Sequence, residues 1–404
     1  MQVANDTQLL IPEKDCENPE LSIVIPALNE EITIGTFVDW CHQGLEKAGV
    51  AGEILIVDSS ADRTAEIALE CGARVLKTPK RGLGRAYIDA IPHIRGRYVL
   101  MGDADCTYDF RELGSFVEKF HEGYEFIMGS RFRGYIEPGA MPWLHRYLGT
   151  PVTTWILNIL YSSRFSDIHC GMRGMTLDAL KRMKLKSQAW EYASEIVLKS
   201  VHMDLRTAEV PVRFLKDMKG RVSHHRREGW FSPWYAAWIN LRAMFIYGAD
   251  FFLFKPGLVL LVVGLALVAA LSLGPIEIGP FGLSLNWMLI GLVTAVLGMH
   301  GVFVGGFMRM AYDYSRASEK HWLKLFPYTR TAILCGLSVG AGLVLFGRFV
   351  LEYFRTGMVI TPEMLALNHQ GVAGVFLIVV GFMTFTFMLS LHGLAIYLNH
   401  DNGQ

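Results

Sequence analysis

Tyr98-Val99-Leu100-Met101-Gly102-Asp103-Ala104-Asp105-Cys106 is a short apolar run that stops at two carboxylates one residue apart. Gly96 and Arg97 bound it on the other side. Such a run reads as a buried strand, with Asp103-Ala104-Asp105 where that strand leaves its sheet. In open α/β sheets, ligands bind outside the carboxyl ends of the strands. Carboxylates at i and i+2 on a turning chain can share one hard divalent cation and leave positions open to phosphate oxygens. Asp is also common where strands end in solvated turns, so the pair alone leaves both readings standing.

Outward from this stretch the same design recurs. Leu21-Ser22-Ile23-Val24-Ile25-Pro26 is a second buried-strand pattern, followed by Ala27-Leu28-Asn29-Glu30-Glu31 and a helical pattern to about residue 47. Glu53-Ile54-Leu55-Ile56-Val57-Asp58 is an apolar strand with an acid at its end, and Ser59-Ser60-Ala61-Asp62-Arg63-Thr64 opens the next helix. Residues 73–77 read as a further strand. Strands alternating with helices at this spacing predict an α/β domain, its sheet parallel and covered by helices on both faces. Asp58, Asp103 and Asp105 then reach one edge with Glu30 close behind, as a metal–nucleotide site or as a coincidence of turns. Gly82-Leu83-Gly84 lacks the third glycine and the preceding strand of a dinucleotide fingerprint, and no Gly-x-x-x-x-Gly-Lys-Ser/Thr loop occurs.

Pro26-Ala27-Leu28-Asn29-Glu30, Val57-Asp58, Asp103-Ala104-Asp105, Gly129-Ser130-Arg131 and Asp167-Ile168-His169-Cys170-Gly171-Met172-Arg173 follow one another in the order seen in family-2 glycosyltransferases. More narrowly, roughly residues 21 to 230 resemble the polyprenyl-phosphate hexosyltransferases of the dolichyl-phosphate mannose or glucose synthase type. The resemblance implies a Rossmann-like GT-A nucleotide-sugar domain, an inverting transfer, and Mg2+ or Mn2+ as cofactor. It implies that Pro26, Leu28, Glu30 and Asp58 line the nucleotide pocket. Asp103, Ala104 and Asp105 would handle ribose, metal and diphosphate, with Asp105 the leading metal ligand and Asp103 beside it. Arg131 and Arg173 would serve the acceptor phosphate or the diphosphate, and Arg131 joins Asp103 and Asp105 in the implied catalytic set.

The chain departs from the family pattern in three places. Ser59 and Ser60 replace the usual acidic and glycine residues after Asp58. Thr107, a poorer metal ligand, stands where relatives often carry Gln. The late basic loop reads Asp217-Met218-Lys219-Gly220-Arg221-Val222-Ser223-His224, so Lys219 and Arg221 are its diphosphate candidates without a one-for-one match.

Between Arg131 and Arg173, the stretch from Trp143 to Tyr161 is strongly apolar, either a core helix or an interfacial helix lying on lipid. In relatives an Arg-x-x-x-Ser here holds the lipid phosphate, and Arg146-x-x-x-Thr150 matches it with Thr for Ser. Helical i, i+4 spacing would place guanidinium and hydroxyl on one face. Glu191 and Glu195 share a helix face as ordinary surface acids or as groups near the acceptor. The basic stretch from Arg213 to Arg227 reads as a diphosphate-closing loop that also faces anionic headgroups. A metal site at His224-His225 is disfavoured because adjacent side chains diverge, and a nucleic-acid partner because the charge is local and no matching motif accompanies it.

The chain has 404 residues, 38 basic and 38 acidic, and is 51% hydrophobic; its mean hydropathy of +0.29 exceeds that of an ordinary soluble chain. The excess lies beyond about residue 250, in apolar runs at 256–273, 285–308, 331–350 and 372–398. Each is near or above the ~20 residues a spanning helix needs. Trp230, Trp234 and Trp238 before them suit a membrane interface. The expected organisation is a polar tail (1–20), a GT-A domain (21–228), juxtamembrane amphipathic helices (229–254) and a domain of four transmembrane helices (255–400). Arg309, Arg316, Lys320, Lys324 and Arg330 lie between the second and third runs, which places that loop, both termini and the catalytic domain in the cytoplasm. The first twenty residues hold no signal-peptide core, and the six cysteines have no paired spacing, so reduced thiols are expected.

The expectation is therefore an integral inner- or plasma-membrane enzyme that moves a hexose, glucose or mannose, from a nucleotide diphosphate sugar to polyprenyl phosphate. Its partners are those two substrates and the lipid bilayer; nucleic acid is not among them, and oligomeric state stays open. One rival, a processive polysaccharide synthase, lacks its Gln-x-x-Arg-Trp motif in this chain. The other is a catalytically silent lipid-linked-sugar transporter or scaffold.

Overall fold

Strands buried on both faces must be apolar on both, which is why they read as unbroken hydrophobic runs. In the computed structural model, Leu21–Ala27 and Gly52–Asp58 are buried along nearly their whole lengths and Tyr98–Met101 entirely. The structure describes residues 6–161, 163–189, 191–218, 220–221, 242, 245, 250–279, 281–312 and 317–400. They fall into two units, Met1–Ile246 and Tyr247–Gln404.

The first unit holds β1 (Gln8–Leu10), β2 (Leu21–Ala27), α1 (Ile34–Ala48), β3 (Gly52–Asp58), α2 (Thr64–Glu70), β4 (Arg74–Lys77), α3 (Leu83–Ala90) and β5 (Tyr98–Met101). After these come α4 (Gly114–His121), β6 (Phe126–Ile136), α5 (Thr150–Tyr161), β7 (Arg173–Thr176), α6 (Leu177–Met183), α7 (Tyr192–His202) and β8 (Thr207–Phe214). The strands make one eight-stranded sheet in the order β1-β4-β3-β2-β5-β7-β6-β8. Ile23, Ile25, Ile54 and Ile56 pack with Phe37, Phe110, Phe116 and Phe120 in its main core, where the Phe37 and Phe110 rings meet edge-on at 4.9 Å.

The sheet is mixed, which corrects the expectation of an all-parallel one. β4, β3, β2 and β5 are parallel as expected, and β6 and β8 are parallel to each other. β1 runs antiparallel at one edge, and β7 is antiparallel to both β5 and β6. Antiparallel neighbours need no crossover helix, so nothing in the local pattern announces the reversal. Its consequence is functional. A reversed strand presents its first residue where its neighbours present their last, so Arg173 pairs with Met101, directly before the Asp103 turn.

In the second unit, α8 (Lys255–Leu271), α9 (Leu285–Tyr312), α10 (Ala317–Leu325), α11 (Tyr328–Arg355) and α12 (Leu365–His400) accompany a short hairpin, β9 (Ile276–Ile278) and β10 (Phe281–Leu283). Four stretches are long and apolar enough to cross a membrane: Phe251–Leu271, Leu285–Ala311, Tyr328–Arg355 and Leu365–Leu398. Each contains most or all of one of the apolar runs read from the sequence. α8 and α9 pack through small residues; a Cβ on Gly298 would stand 2.2 Å from the backbone nitrogen of Leu261. Such small-residue contacts let apolar helices approach closely where lipid removes any hydrophobic drive between them.

Candidate active site

The loops that leave β2 and β3 are tied together before they carry any chemistry. Asn29 adopts a left-handed conformation (φ 51°), which its short polar side chain tolerates. Its backbone N–H donates to Ser60 Oγ at 2.7 Å, and its Oδ1 accepts from Ala61 N at 3.0 Å. Ser60 thus has a structural task that a glycine could not perform. Glu30 N donates to Thr64 Oγ1 at 2.9 Å, completing the clip. Asp58 is buried at the end of β3. Burial lifts its carboxyl above the ordinary range, against the hydrogen bonds it accepts from Ser60. Pro26 and Leu28 are half-buried beside it at the end of β2.

At the end of β5, Ala104 is buried between half-buried Asp103 and Asp105, and Cys106 turns the chain with φ 58°. Asp105 accepts hydrogen bonds from Thr107 N at 3.0 Å and Thr107 Oγ1 at 2.6 Å, so the Thr107 hydroxyl aims that carboxylate. Burial first, and then the charge of Asp105, push Asp103 up to about 7, while Arg173, Arg221 and Arg131 pull it down. The loop before β7 crosses this carboxylate so closely that a Cβ on Gly171 would lie 2.4 Å from Asp103 Oδ2. Gly171 N donates to Tyr108 Oη at 2.8 Å, which fixes that crossing.

Three buried tyrosines surround Asp103, and sequence reasoning missed them all. Tyr108 holds the Gly171 loop; Tyr87 donates to Gly102 O at 3.0 Å and stacks on Tyr192 at 4.6 Å between centroids. Tyr87 and Tyr192 belong to α3 and α7, far apart in sequence and outside any motif, so only the fold brings them together.

The arginines divide into two kinds. Arg131 and Arg173 are buried and held by the protein itself. Arg131 grips the fully buried Asp167 with both arms of its fork, at 2.6 and 2.8 Å. Arg173 donates to the carbonyls of Cys170 (2.8 Å), Ala193 (2.6 Å) and Ile168 (3.2 Å). Arg221 instead enters the acidic edge: it donates to Glu30 through Nε (2.7 Å) and Nη2, and its Nη1 lies 2.9 Å from Asp217 and 3.5 Å from Asp105. Lys219, His224 and His225 lie outside the described residues, as do Trp230, Trp234 and Trp238.

Arg146 is half-buried in a π-helical turn, His145–Gly149, and Thr150 is buried at the start of α5. The expected helix is present there with a wider first turn, and the Arg146 guanidinium lies 5.6 Å from the Tyr147 ring centre. His169 meets Thr153 Oγ1 at 2.9 Å; burial and then the charge of Arg131 lower its pKa to about 4, so the ring is neutral at pH 7. Glu195 is not a surface acid. It is fully buried, pairs with Lys199, and accepts from the backbone N–H groups of Lys186 (3.0 Å) and Ser187 (2.8 Å), tying α7 to the preceding loop. Glu191 pairs with Arg242 at 3.2 Å.

The family model of glycosyl transferase family 2 matches residues 22–184. A low-salt glycan biosynthesis hexosyltransferase of Haloferax volcanii is 35% identical over 348 residues, which cover 85% of this chain and 81% of that protein. A dolichyl-phosphate hexose transferase of the same organism is 29% identical over 204 residues, 48% of this chain and 82% of its own. Among solved structures, mannosyl-3-phosphoglycerate synthase from Rubrobacter xylanophilus is similar with a TM-score of 0.43 and 22% identity, over 56% of this chain and 72% of that one. The chain belongs to glycosyltransferase family 2, with the mixed α/β domain of GT-A type that the family implies.

Proposed function

We propose that this family-2 glycosyltransferase transfers a hexose, with inversion, from a nucleotide diphosphate sugar to polyprenyl phosphate at the cytoplasmic face of a membrane. The observation that carries the reading is the division of one sheet edge by charge. Asp58, Asp103 and Asp105 stand at the ends of β3 and β5, and buried Arg131 and Arg173 are near enough to act on the charge of Asp103. Two anionic reactants need such an edge: oxygen ligands for a cation on the donor side, and fixed positive charge on the acceptor side. The four membrane-length helices in the same chain and the name of one Haloferax relative support a lipid-linked acceptor. The basic residues between the second and third of those helices support a cytoplasmic catalytic unit.

Two hard oxygen donors support Mg2+ or Mn2+; among the described residues no group of three or more His, Cys, Asp or Glu gathers as a protein-only site, so the donor diphosphate would have to complete the coordination. Asp103 and Asp105 are hard oxygen ligands two residues apart whose mutual repulsion the surrounding arginines leave incompletely offset. Asp105 and Asp103 would hold the ion, and Thr107, by donating to Asp105, would orient its ligand rather than serve as one. Bound there, a divalent ion offsets charge on the departing diphosphate. Pro26, Leu28 and Asp58 would line the nucleotide pocket. Arg221, between Glu30 and Asp105, would bring a guanidinium to the diphosphate. Arg131 and Arg173 are already oriented by Asp167 and by backbone carbonyls, so they would screen the acceptor phosphate with little reorganisation. Arg146, with Thr150 behind it, would position that phosphate. A phosphate monoester is ionised near neutral pH, so its oxygen attacks without a general base.

The test uses the full chain in lipid nanodiscs with a panel of uridine and guanosine diphosphate sugars, a divalent cation and a polyprenyl phosphate. Mass spectrometry should find a polyprenyl-phosphate hexose with one of the donors. A polymeric product, or release of nucleotide diphosphate with no lipid product from any donor, overturns the acceptor assignment.

A further inference from the structure

A polar side chain at the middle of a bilayer needs a partner within its bundle, in a water-filled cavity or on another chain, because hydrocarbon offers none. The four membrane-length stretches contain three histidines, and two of them are provided for. His369 meets Leu271 O at 2.7 Å and His392 meets Phe326 O at 3.0 Å. His300, near the middle of Leu285–Ala311, is exposed and has no hydrogen-bond or ion-pair partner among the described residues. It belongs to a row. Asn286, Ile290 (52% exposed), Val293 (54%), Leu297 (58%) and His300 are all exposed and follow 4-3-4-3 spacing along α9. Positions that recur every 3.5 residues form one stripe, the seam of a left-handed helix pair. The opposite face of α9 is already occupied, with Met288, Ala295, Met299 and Val302 buried inside the unit. Asn286 and His300 are two heptads apart, so both polar groups fall on the same position of the repeat.

Apolar helices gain no hydrophobic drive from meeting in lipid, so packing and interhelical hydrogen bonds decide their association. Two features select a second copy of this chain as the occupant of the stripe. An uncharged imidazole and a carboxamide each carry both a donor and an acceptor, so each can bond to its own kind. Copies inserted in one membrane also share one orientation. Two α9 helices related by a two-fold axis along the membrane normal therefore bring equal depths together. His300 of one copy then faces His300 of the other, and Asn286 faces Asn286, with Ile290, Val293 and Leu297 packed between. A lipid tail has nothing to offer either polar group.

We infer that two copies of this chain pair in the membrane through the Asn286–His300 stripe of α9, with His300 fixing the register of the contact. A single polar residue at a seam position has that effect in soluble helix pairs, where it selects one register and one oligomeric state. The inference needs α9 to cross a bilayer and is independent of the sugar or acceptor that the catalytic unit uses.

The experiment uses the full chain in phosphatidylcholine liposomes, with Cys16→Ser and Cys71→Ser removing the most accessible native thiols. Leu297→Cys puts a thiol on the stripe. Val262→Cys puts one on the exposed side of α8 at similar depth, since Gly298 lies against Leu261. Mild oxidation should link the Leu297→Cys chains into dimers and leave the Val262→Cys chains single. In parallel, chains carrying one dye through Glu118→Cys on exposed α4 are diluted in lipid, and their photobleaching steps are counted to give a dissociation constant. His300→Leu should raise that constant about three- to thirtyfold, the effect of one interhelical hydrogen bond. His300→Gln, which keeps a donor and an acceptor, should recover most of the loss. Single bleaching steps at every dilution, or equal cross-linking at both positions, overturn the inference. A His300→Leu dimer as tight as the unsubstituted one overturns the role given to His300.

Discussion

Strand β3 carries an acid at each end, and the two are treated in opposite ways. At its amino end, buried Glu53 accepts from Ser22 Oγ (2.6 Å), Arg74 Nη1 (2.6 Å), Arg95 Nε (2.7 Å) and Arg95 N (2.9 Å). Burial alone would raise its carboxyl, but those hydrogen bonds and the charge of Arg74 outweigh it and hold the group below the ordinary range. At the carboxyl end, Asp58 is equally buried yet raised, and Asp103 on the next-but-one strand is raised further. A buried acid that serves structure is given enough donors to stay charged unaided. Asp58 and Asp103, which we propose serve the nucleotide and a cation, are left short of them. The raised carboxylates at the strand ends therefore support the proposed working edge, and the depressed Glu53 belongs to the scaffold.

The contrast breaks most sharply at Asp105. Asp105→Ala should lower transfer by about a thousandfold or more, because losing the proposed metal ligand would remove several kcal/mol of charge stabilisation at the departing diphosphate. The far-UV spectrum should not change, since the side chain is half-buried at a strand end rather than in the core. Chelation of the wild type should abolish transfer equally, and added Mg2+ or Mn2+ should restore it. Near-normal turnover in the variant, or chelator-resistant wild type, would mean that the acidic edge is scaffold after all.

The amino end should fail in the complementary manner. Glu53→Gln strands the buried Arg74 charge, and breaking a buried ion pair costs about 3–5 kcal/mol. Each kcal/mol lowers the thermal midpoint of a domain this size by about 2–4 °C. The remaining folded protein should keep its donor affinity. The sign with pH follows from the depressed carboxyl. Its contribution is complete above the unfolded value of about 4.3 and is lost as pH falls through the lower folded value. Thermal melts of the wild type and Glu53→Gln should therefore converge only in acid. A variant that keeps its midpoint but loses donor binding would invert the assignment.

The legibility of these features in the sequence follows the same division. β2, β3 and β5 are buried on both faces, so their unbroken apolar runs announced the strands, and their ends located Asp58, Asp103 and Asp105. Direction was hidden: Arg173–Thr176 is short, no crossover pattern marks it, and its reversal brings Arg173 to the edge. Burial of charge was hidden as well. Glu195 and Lys199, four apart, look like a surface helix pair, yet both are buried. The apolar character of α5 was plain, but which face looks outward depends on Thr154 and Asn158 finding partners in the loop that follows the helix.

A smaller effect separates the two reactants. Arg146→Ala removes a guanidinium whose charge-assisted hydrogen bonds to a phosphate are each worth about 1.5–3 kcal/mol. The acceptor KM should rise about 10- to 100-fold, while donor affinity, measured by calorimetry with the nucleotide sugar, stays within about twofold. Equal loss on both sides would move Arg146 from the acceptor to the donor, and loss on neither would remove it from the site.

The smallest effect discriminates phosphate from hydroxyl as the nucleophile. A sugar hydroxyl acceptor must surrender a proton as it attacks, so its enzyme needs a base with a carboxylate or imidazole in reach. A phosphate oxygen is already anionic. Glu195 is locked to Lys199 and two backbone N–H groups, and His169 is neutral and engaged with Thr153. Glu191, read from the sequence as a surface acid or a group near the acceptor, pairs with Arg242 across 3.2 Å with both side chains partly in solvent. Exposed pairs of this kind contribute about 0–1 kcal/mol. Glu191→Gln should thus leave stability nearly unchanged and the transfer rate within about twofold from pH 6 to 8. A loss of tenfold or more, accompanied by disappearance of a rate-limiting ionisation from the pH profile, would make Glu191 the base. The acceptor would then be a hydroxyl, and the arginine side of the edge would need another explanation.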